Sequence, residues 1–218
     1  MTPLDKIVIW GAGGHAAVVA DLVRRTNRFQ IAGFIDDVNP GRKGENFCGA
    51  RILGGRSQLA KLRRAGVKYL LVAFGNNAAR LKWAAAAKEL GFTLATVISP
   101  SADVAAGTEV GLGTVIASGA VVTPGVRLGG NVIINTSASV DHHCVIADGA
   151  HICPGVRLAG GVSVGRGAWV GIGATVIDGI KIGAGAMIGA GAVVVRDIPE
   201  NAMACGVPAR VVRKLDGK

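Results

Sequence analysis

From Leu128 to Leu158 the chain reads LGGNVIINTSASVDHHCVIADGAHICPGVRL, and the spacing of its aliphatic residues decides the fold. Leu128, Ile134, Val140, Ile146, Ile152 and Leu158 stand six residues apart. The row continues both ways, from Ile98 to Val194, and all 17 positions are Ile, Leu or Val. Two residues before each later member sits a small or β-branched residue, such as Ala120, Val126, Val132, Ala138, Cys144 and Ala150. Glycine recurs between them, at Gly107, Gly113, Gly119 and Gly125, then at Gly149, Gly155, Gly167, Gly173, Gly185 and Gly191. A period of six matches neither a helix nor a lone strand. It matches a short strand plus a turn, repeated. The aliphatic side chain points inward, the small residue fits beside it, and glycine supplies the turn dihedrals. Three units close a triangular coil of 18 residues, so the run makes about five coils stacked about 4.8 Å apart. Burying each aliphatic side chain contributes about 1.5–3 kcal/mol, so the segment needs no helix.

This register accounts for an unusual composition. The 218 residues are 50% hydrophobic but only 4% aromatic, with 34 glycines. Of those glycines, 20 lie between residues 98 and 195, where Trp169 is the only Phe, Trp or Tyr. A narrow coil interior admits Val and Ile but few rings. The aliphatic content excludes disorder, and seven prolines without a G-X-Y period exclude collagen. No apolar run reaches the ~20 residues that span a bilayer, and the run Ile7–Trp10 stops at Gly11, too soon for a signal-peptide core. Cys48, Cys144, Cys153 and Cys205 are irregularly spaced, which indicates neither a disulfide framework nor a zinc motif. The expectation is a cytoplasmic protein with no metal and no membrane insertion.

Residues 1–97 follow another pattern. Lys6–Trp10 reads as a buried strand running into Gly11-Ala12-Gly13-Gly14-His15-Ala16, with an apolar-periodic helix to about Arg25. A strand Ile31–Ile35 ends at Asp36-Asp37, Ser57 reads as the N-cap of a second helix, and a strand Tyr69–Phe74 ends at Gly75-Asn76-Asn77. A helix over about 78–90 and a strand over about 93–98 follow. Alternating strands and helices predict a small parallel sheet. The glycine turn fits G-x-G-x-x-A with an acidic pair about 20 residues on, which suits phosphate cradling at a helix N-terminus. The unit has no second mononucleotide half, which argues against NAD. His15 sits where it could reach a phosphate or sugar, or simply cap the helix.

Charge divides unevenly. Residues 1–97 carry 15 Lys and Arg against 6 Asp and Glu, whereas residues 98–195 carry 4 against 5. Most of the net +10 therefore belongs to the first domain, as suits an anionic ligand such as a nucleotide diphosphate. Nucleic acid is not expected, because no aromatic residues interleave with the basic ones.

Three of the four histidines, His142, His143 and His151, fall in one stretch of the coil. Val140 and Ile146 point inward, so His142 and His143 lie at a turn near the outside. One coil above His142 stand Gly160 and Gly161, which leave it space. A turn histidine with room over it is a candidate general base. The alternatives are a surface histidine or a zinc ligand, and zinc needs three or four converging ligands.

Gly11-Ala12-Gly13-Gly14-His15, Asp36-Asp37, Gly75-Asn76-Asn77, Asn135-Thr136-Ser137, Asp141-His142-His143-Cys144, His151 and Gly206-Val207-Pro208-Ala209-Arg210 together resemble the two-domain hexapeptide-repeat sugar acyltransferases. That group includes N-acetyltransferases of nucleotide-linked 4-amino-4,6-dideoxysugars, as in bacillosamine and perosamine pathways, and sialic-acid O-acetyltransferases. The resemblance covers essentially the whole chain. It implies a small Rossmann-like α/β domain (1–97), a left-handed parallel β-helix (98–195) and a C-terminal segment (196–218). It implies a homotrimer with active sites between subunits. Gly13, Gly14, His15, Asp36, Asp37, Gly75 and Asn135 would hold the nucleotide-linked amino sugar. His142 would be the general base, with Asp141 beside it and the Gly160 N–H as oxyanion donor. His151, Gly160, Ile172 and Ala190 would line the acetyl-CoA groove. One position departs from the pattern. The family often carries Glu or Asp after the histidine, where this chain has His143, which cannot act by charge; the group that tunes His142 is left among Asp141, His143 and Asp148. The other readings are O-acetylation of a sialic acid or another sugar hydroxyl, and a non-enzymatic nucleotide-binding scaffold.

Overall fold

The computed structural model describes residues 4–215, so the last three residues of the expected 196–218 segment lie outside the described residues. The chain divides into units of residues 1–99 and 100–218.

In the first unit, strands β1 (Asp5–Trp10), β2 (Phe29–Ile35), β3 (Asn46–Phe47), β4 (Ala50–Gly54), β5 (Tyr69–Val72) and β6 (Thr93–Leu94) lie in the order β3-β4-β2-β1-β5-β6. β1 pairs in parallel with β2 on one side and β5 on the other. This central position buries Ile7, Val8, Ile9 and Trp10 almost completely. Helices α1 (Gly14–Arg25), α2 (Leu59–Arg64) and α3 (Asn77–Glu89) are the connections of a small parallel α/β domain, as the alternation predicts.

Three local readings change. The region after the acidic pair is more than a loop: it holds a 3₁₀ turn (Pro40–Arg42) and the β3–β4 hairpin. The hairpin turns at Cys48 and Gly49, both at positive φ, and two-residue turns of this kind match the strand twist. Ser57 does not cap α2, which begins at Leu59 after a 3₁₀ turn spanning Arg56–Gln58. The acceptor for this turn comes from 19 residues upstream, where Asp37 Oδ1 accepts the Arg56 N–H at 2.8 Å. Finally, the strand expected over 93–98 is split into Thr93–Leu94 and Val97–Ile98.

The second unit is a stack of two-residue strands on three parallel sheets, the architecture of a left-handed β-helix. One face carries Val115–Ile116, Ile133–Ile134, His151–Ile152, Trp169–Val170 and Met187–Ile188. The second carries strands from Asp103–Val104 through Ser139–Val140 to Val193–Val194, and the third runs from Glu109–Val110 through Val145–Ile146 to Lys181–Ile182. Register between coils is 18 residues, as in Ile133 opposite His151 and Ser139 opposite Arg157. The aliphatic row points inward: from Ile116 to Val194 every member is at most 4% exposed. Val104 and Val110 are only partly buried, and Ile98 is exposed. At the far end of the first face, the hairpin Ala202–Gly206 and Ala209–Lys214 pairs with Met187–Ile188 and covers what would otherwise be an open sheet edge.

Candidate active site

In the first unit, a cavity of about 740 Å³ opens where β1, β2 and β5 end. The glycine turn Gly11–His15, the loop Asp36–Asn39 with Arg42, and Phe74–Asn76 with Ala79 and Trp83 line it. Two helix N-termini meet there. Asn76 caps α3 by accepting the Ala79 N–H at 2.8 Å, whereas the N-cap of α1 is Gly13, which has no side chain to cap it. Neither helix has an acidic residue in its first turn. Uncapped N–H groups and the positive end of the helix dipole favour an anion.

The glycines have different jobs. A Cβ on Gly11, at φ +133°, would meet the Ala73 carbonyl oxygen at 2.8 Å, so Gly11 lets β1 lie close to β5. A Cβ on Gly13, Gly14 or Gly75 would meet nothing within 4 Å. These three glycines leave the cavity open to a close backbone approach by a ligand.

Both acidic side chains border the cavity, yet both accept hydrogen bonds from the chain. Asp36 is buried and takes the N–H groups of Val38 and Asn39 at 3.0 and 3.1 Å on Oδ1. Its Oδ2 faces the Arg42 guanidinium at 3.3 Å, and Arg42 also reaches the Ala12 carbonyl at 2.9 Å. Asp37 accepts the Trp10 indole N–H at 2.9 Å as well as the Arg56 N–H. The pair thus shapes the rim of the cavity. His15 lies in its wall, and its pKa is pushed down to about 4, by burial first and then by the Arg80 guanidinium. Arg80 itself is 1% exposed and donates to the carbonyls of Phe74 and Gly75 and to Asn77 Oδ1. It holds the loop that frames one side of the cavity.

In the second unit, the expected residues gather at two corners. Asp141, His142 and Gly160 share the corner between the second and third faces. Asn135, Ile172 and Ala190 share the corner between the first and second, and His151 lies on the first face beside them. Asn135 Nδ2 is 3.1 Å from His151 Nε2, and the His151 ring lies 4.4 Å from that of Trp169. His151 is 4% exposed and Ile172 61%. The space over His142 is taken by its own ring: a Cβ on Gly160 would stand 2.3 Å from His142 Cε1. Asp141 Oδ1 accepts the His142 backbone N–H at 2.8 Å and the Thr123 hydroxyl at 3.1 Å, and these bonds lower the carboxyl pKa. The ring of His142 meets His143 instead, Nδ1 to Nδ1 at 3.1 Å. Asp148 lies at the third corner, on the Gly130 N–H and beside Arg166. Cys144 points inward, donates to the Ala159 carbonyl at 3.2 Å, and its thiol pKa is raised by burial, which suits packing and not nucleophilic attack. Among the described residues, no group of three or more His, Cys, Asp or Glu converges as a metal site, and no helix is long and apolar enough to cross a membrane.

The PglD N-terminal domain family matches residues 6–87, and the bacterial transferase hexapeptide family, as six repeats, matches residues 161–196. Perosamine N-acetyltransferase from Caulobacter crescentus, solved as a histidine-to-asparagine variant in complex with CoA and GDP-perosamine, is 39% identical over 97% of this chain and 99% of that chain, with a TM-score of 0.92. The chain belongs to the hexapeptide-repeat acyltransferases. The acetyltransferase domain of PglB from Neisseria gonorrhoeae, in complex with acetyl coenzyme A, is 35% identical over 96% of this acyltransferase and 100% of that chain, with a TM-score of 0.90. WeeI from Acinetobacter baumannii is 26% identical over 94% of this acyltransferase and 99% of that chain, with a TM-score of 0.74.

Sequence reasoning missed two features of this acyltransferase. Arg80 was counted only as part of the basic balance. Its place four and seven residues before the buried Ala84 and Ala87 on α3 marks it as inward-facing. The second is a break in the glycine row. From Gly107 to Gly191 every sixth residue has positive φ, and 12 of these 15 are glycine; the others are Asn131, Ser137 and His143, in consecutive repeats. Non-glycine residues in this backbone conformation cluster at functional sites, and the interruption is visible in the sequence.

Proposed function

We propose that this chain is an acetyl-CoA-dependent N-acetyltransferase that acetylates the amine of a nucleotide-linked 4-amino-4,6-dideoxysugar, with His142 as general base. The first unit holds the nucleotide diphosphate at the α1 N-terminus. Gly13, Gly14 and Gly75 give it room, and neutral His15 offers a hydrogen bond and not a charge. The second unit carries out direct transfer. The amine nitrogen attacks the thioester carbonyl of acetyl-CoA, forming the C–N bond. The proton the amine loses goes to His142 Nε2, and the C–S bond breaks. The imidazolium then gives that proton to the departing thiolate, so His142 ends the cycle neutral. The Gly160 N–H is the proposed donor to the oxygen that becomes negative during attack. The observation that carries the reading is the exposed His142 ring, fixed between Gly160 and His143 on a coil otherwise poor in ionisable groups.

Acetyl-CoA would lie along the corner of Asn135, Ile172 and Ala190, next to His151. Those residues and His142 occupy different corners of the same prism, one face apart. We propose that a homotrimer joins them, with the His142 corner of one copy facing the His151 corner of the next. The cytoplasm, where acetyl-CoA is available and thiols stay reduced, is the proposed compartment.

The purified chain should release thiol from acetyl-CoA when offered a GDP-, UDP- or dTDP-linked 4-amino sugar, and not with the corresponding 4-hydroxy sugar. His142→Asn should lower kcat by about 10²–10⁴-fold with KM for both substrates little changed. Turnover near the wild-type level in that variant would refute the assignment of His142.

A further inference from the structure

We infer that His143 is the positioning residue for His142, accepting a hydrogen bond on its neutral Nδ1 in a role that a carboxylate would otherwise fill. The inference rests on the reading of His142 as the base.

The backbone places the two rings. His143 stands at φ 59°, in the turn position that glycine holds in most coils. Its ring is directed to the coil below, where a Cβ on Gly125 would meet His143 Cδ2 at 2.9 Å. The ring of His142 is directed to the coil above, over Gly160. The rings therefore meet edge to face, 77° apart with centroids at 5.3 Å, and Nδ1 touches Nδ1 at 3.1 Å. Such a contact holds one proton, so one ring donates and the other accepts. If His143 donated, the proton of neutral His142 would sit on Nε2 and no lone pair would face the amine. A basic Nε2 requires His142 Nδ1–H donating to His143, whose own proton is then on Nε2.

Among the described residues, no carboxylate accepts a hydrogen bond from the His142 ring. Asp141 spends Oδ1 on the His142 backbone N–H and on Thr123, and Asp148 lies at another corner. Thr123, Pro124 and Gly125 below, and Ala159, Gly160 and Gly161 above, bring no ionisable side chain. Asp141 is thus the one carboxylate at this turn. A neutral acceptor orients His142 and selects its tautomer, but it stabilises the imidazolium less than a carboxylate would.

The test compares kcat, KM, thermal midpoint and the pH profile of kcat/KM for the full-length wild type and for His142→Asn, His143→Gly and His143→Asp. Glycine suits φ 59°, so His143→Gly should melt at or above the wild-type temperature while kcat falls about tenfold and both KM values hold. Aspartate tolerates the same backbone and restores a charged acceptor, so His143→Asp should keep turnover and shift the acid limb upward by about one pH unit. With His142→Asn inactive, an unchanged kcat in His143→Gly and an unmoved acid limb in His143→Asp overturn the inference and leave the assignment of His142 standing. An active His142→Asn overturns both.

Discussion

At pH 7 His15 is neutral, because burial and the nearby Arg80 guanidinium hold its pKa at about 4. Its folded value lies below the unfolded value of about 6.5, so the unfolded chain binds a proton that the folded chain refuses. The stability conferred by His15 is therefore complete above about pH 6.5 and declines as pH falls towards 4. Melting the wild type and His15→Gln at pH 7.5 and pH 5 checks this: the wild type should lose more of its midpoint between the two. Equal losses would show that His15 does not titrate with folding. The same residue was legible in the sequence only as a histidine on a glycine turn. Neither its neutrality nor Arg80 beside it follows from spacing, because α3 arrives from more than 60 residues downstream.

At the scale of elements, α1 and the turn before it make the sharpest contrast between fold and function. Gly11 is required by the sheet, since a side chain there would strike the Ala73 backbone. Gly14 is the first residue of α1, and nothing lies within 4 Å of a Cβ built on it. Alanine at this helical position should not lower the melting midpoint, since its helix propensity exceeds that of glycine by about 1 kcal/mol. It should raise KM for the nucleotide sugar about tenfold and leave KM for acetyl-CoA unchanged. A loss of thermal stability without a binding defect would place Gly14 with Gly11, as a requirement of the fold. The helix itself was readable from its apolar periodicity. The β3–β4 hairpin was not, because β3 has only two residues and its turn contains a cysteine at φ 45°. The Ser57 cap misled for a related reason: Asp37, far away in sequence, supplies the acceptor that a local serine was expected to provide.

For the whole molecule, the proposed homotrimer, with His142 at a corner and His151 on the first face of each copy, predicts complementation. His142→Asn and His151→Ala should each be inactive as pure proteins. Trimers co-assembled from both should recover activity, because some junctions then pair an intact His142 from one copy with an intact His151 from another. If each site lay within one chain, every site in the mixture would lack one histidine and no activity would return. Rate measurement after co-expression, with subunit composition checked by mass, decides between them.

The six-residue register determined the coil by itself, since each inward aliphatic sits at a position fixed by period alone and stacks on its own repeat. The alternation of strands and helices likewise determined the α/β class of the first unit, and the glycine turn marked where its cavity would be. Only the tertiary structure decided what the polar side chains do. It turned Asp36 and Asp37 towards the chain's own N–H groups, placed Asp141 on a backbone N–H, and left His143 as the group touching the His142 ring. Apolar burial follows local periodicity, whereas a hydrogen bond depends on atoms that meet only after distant segments have packed.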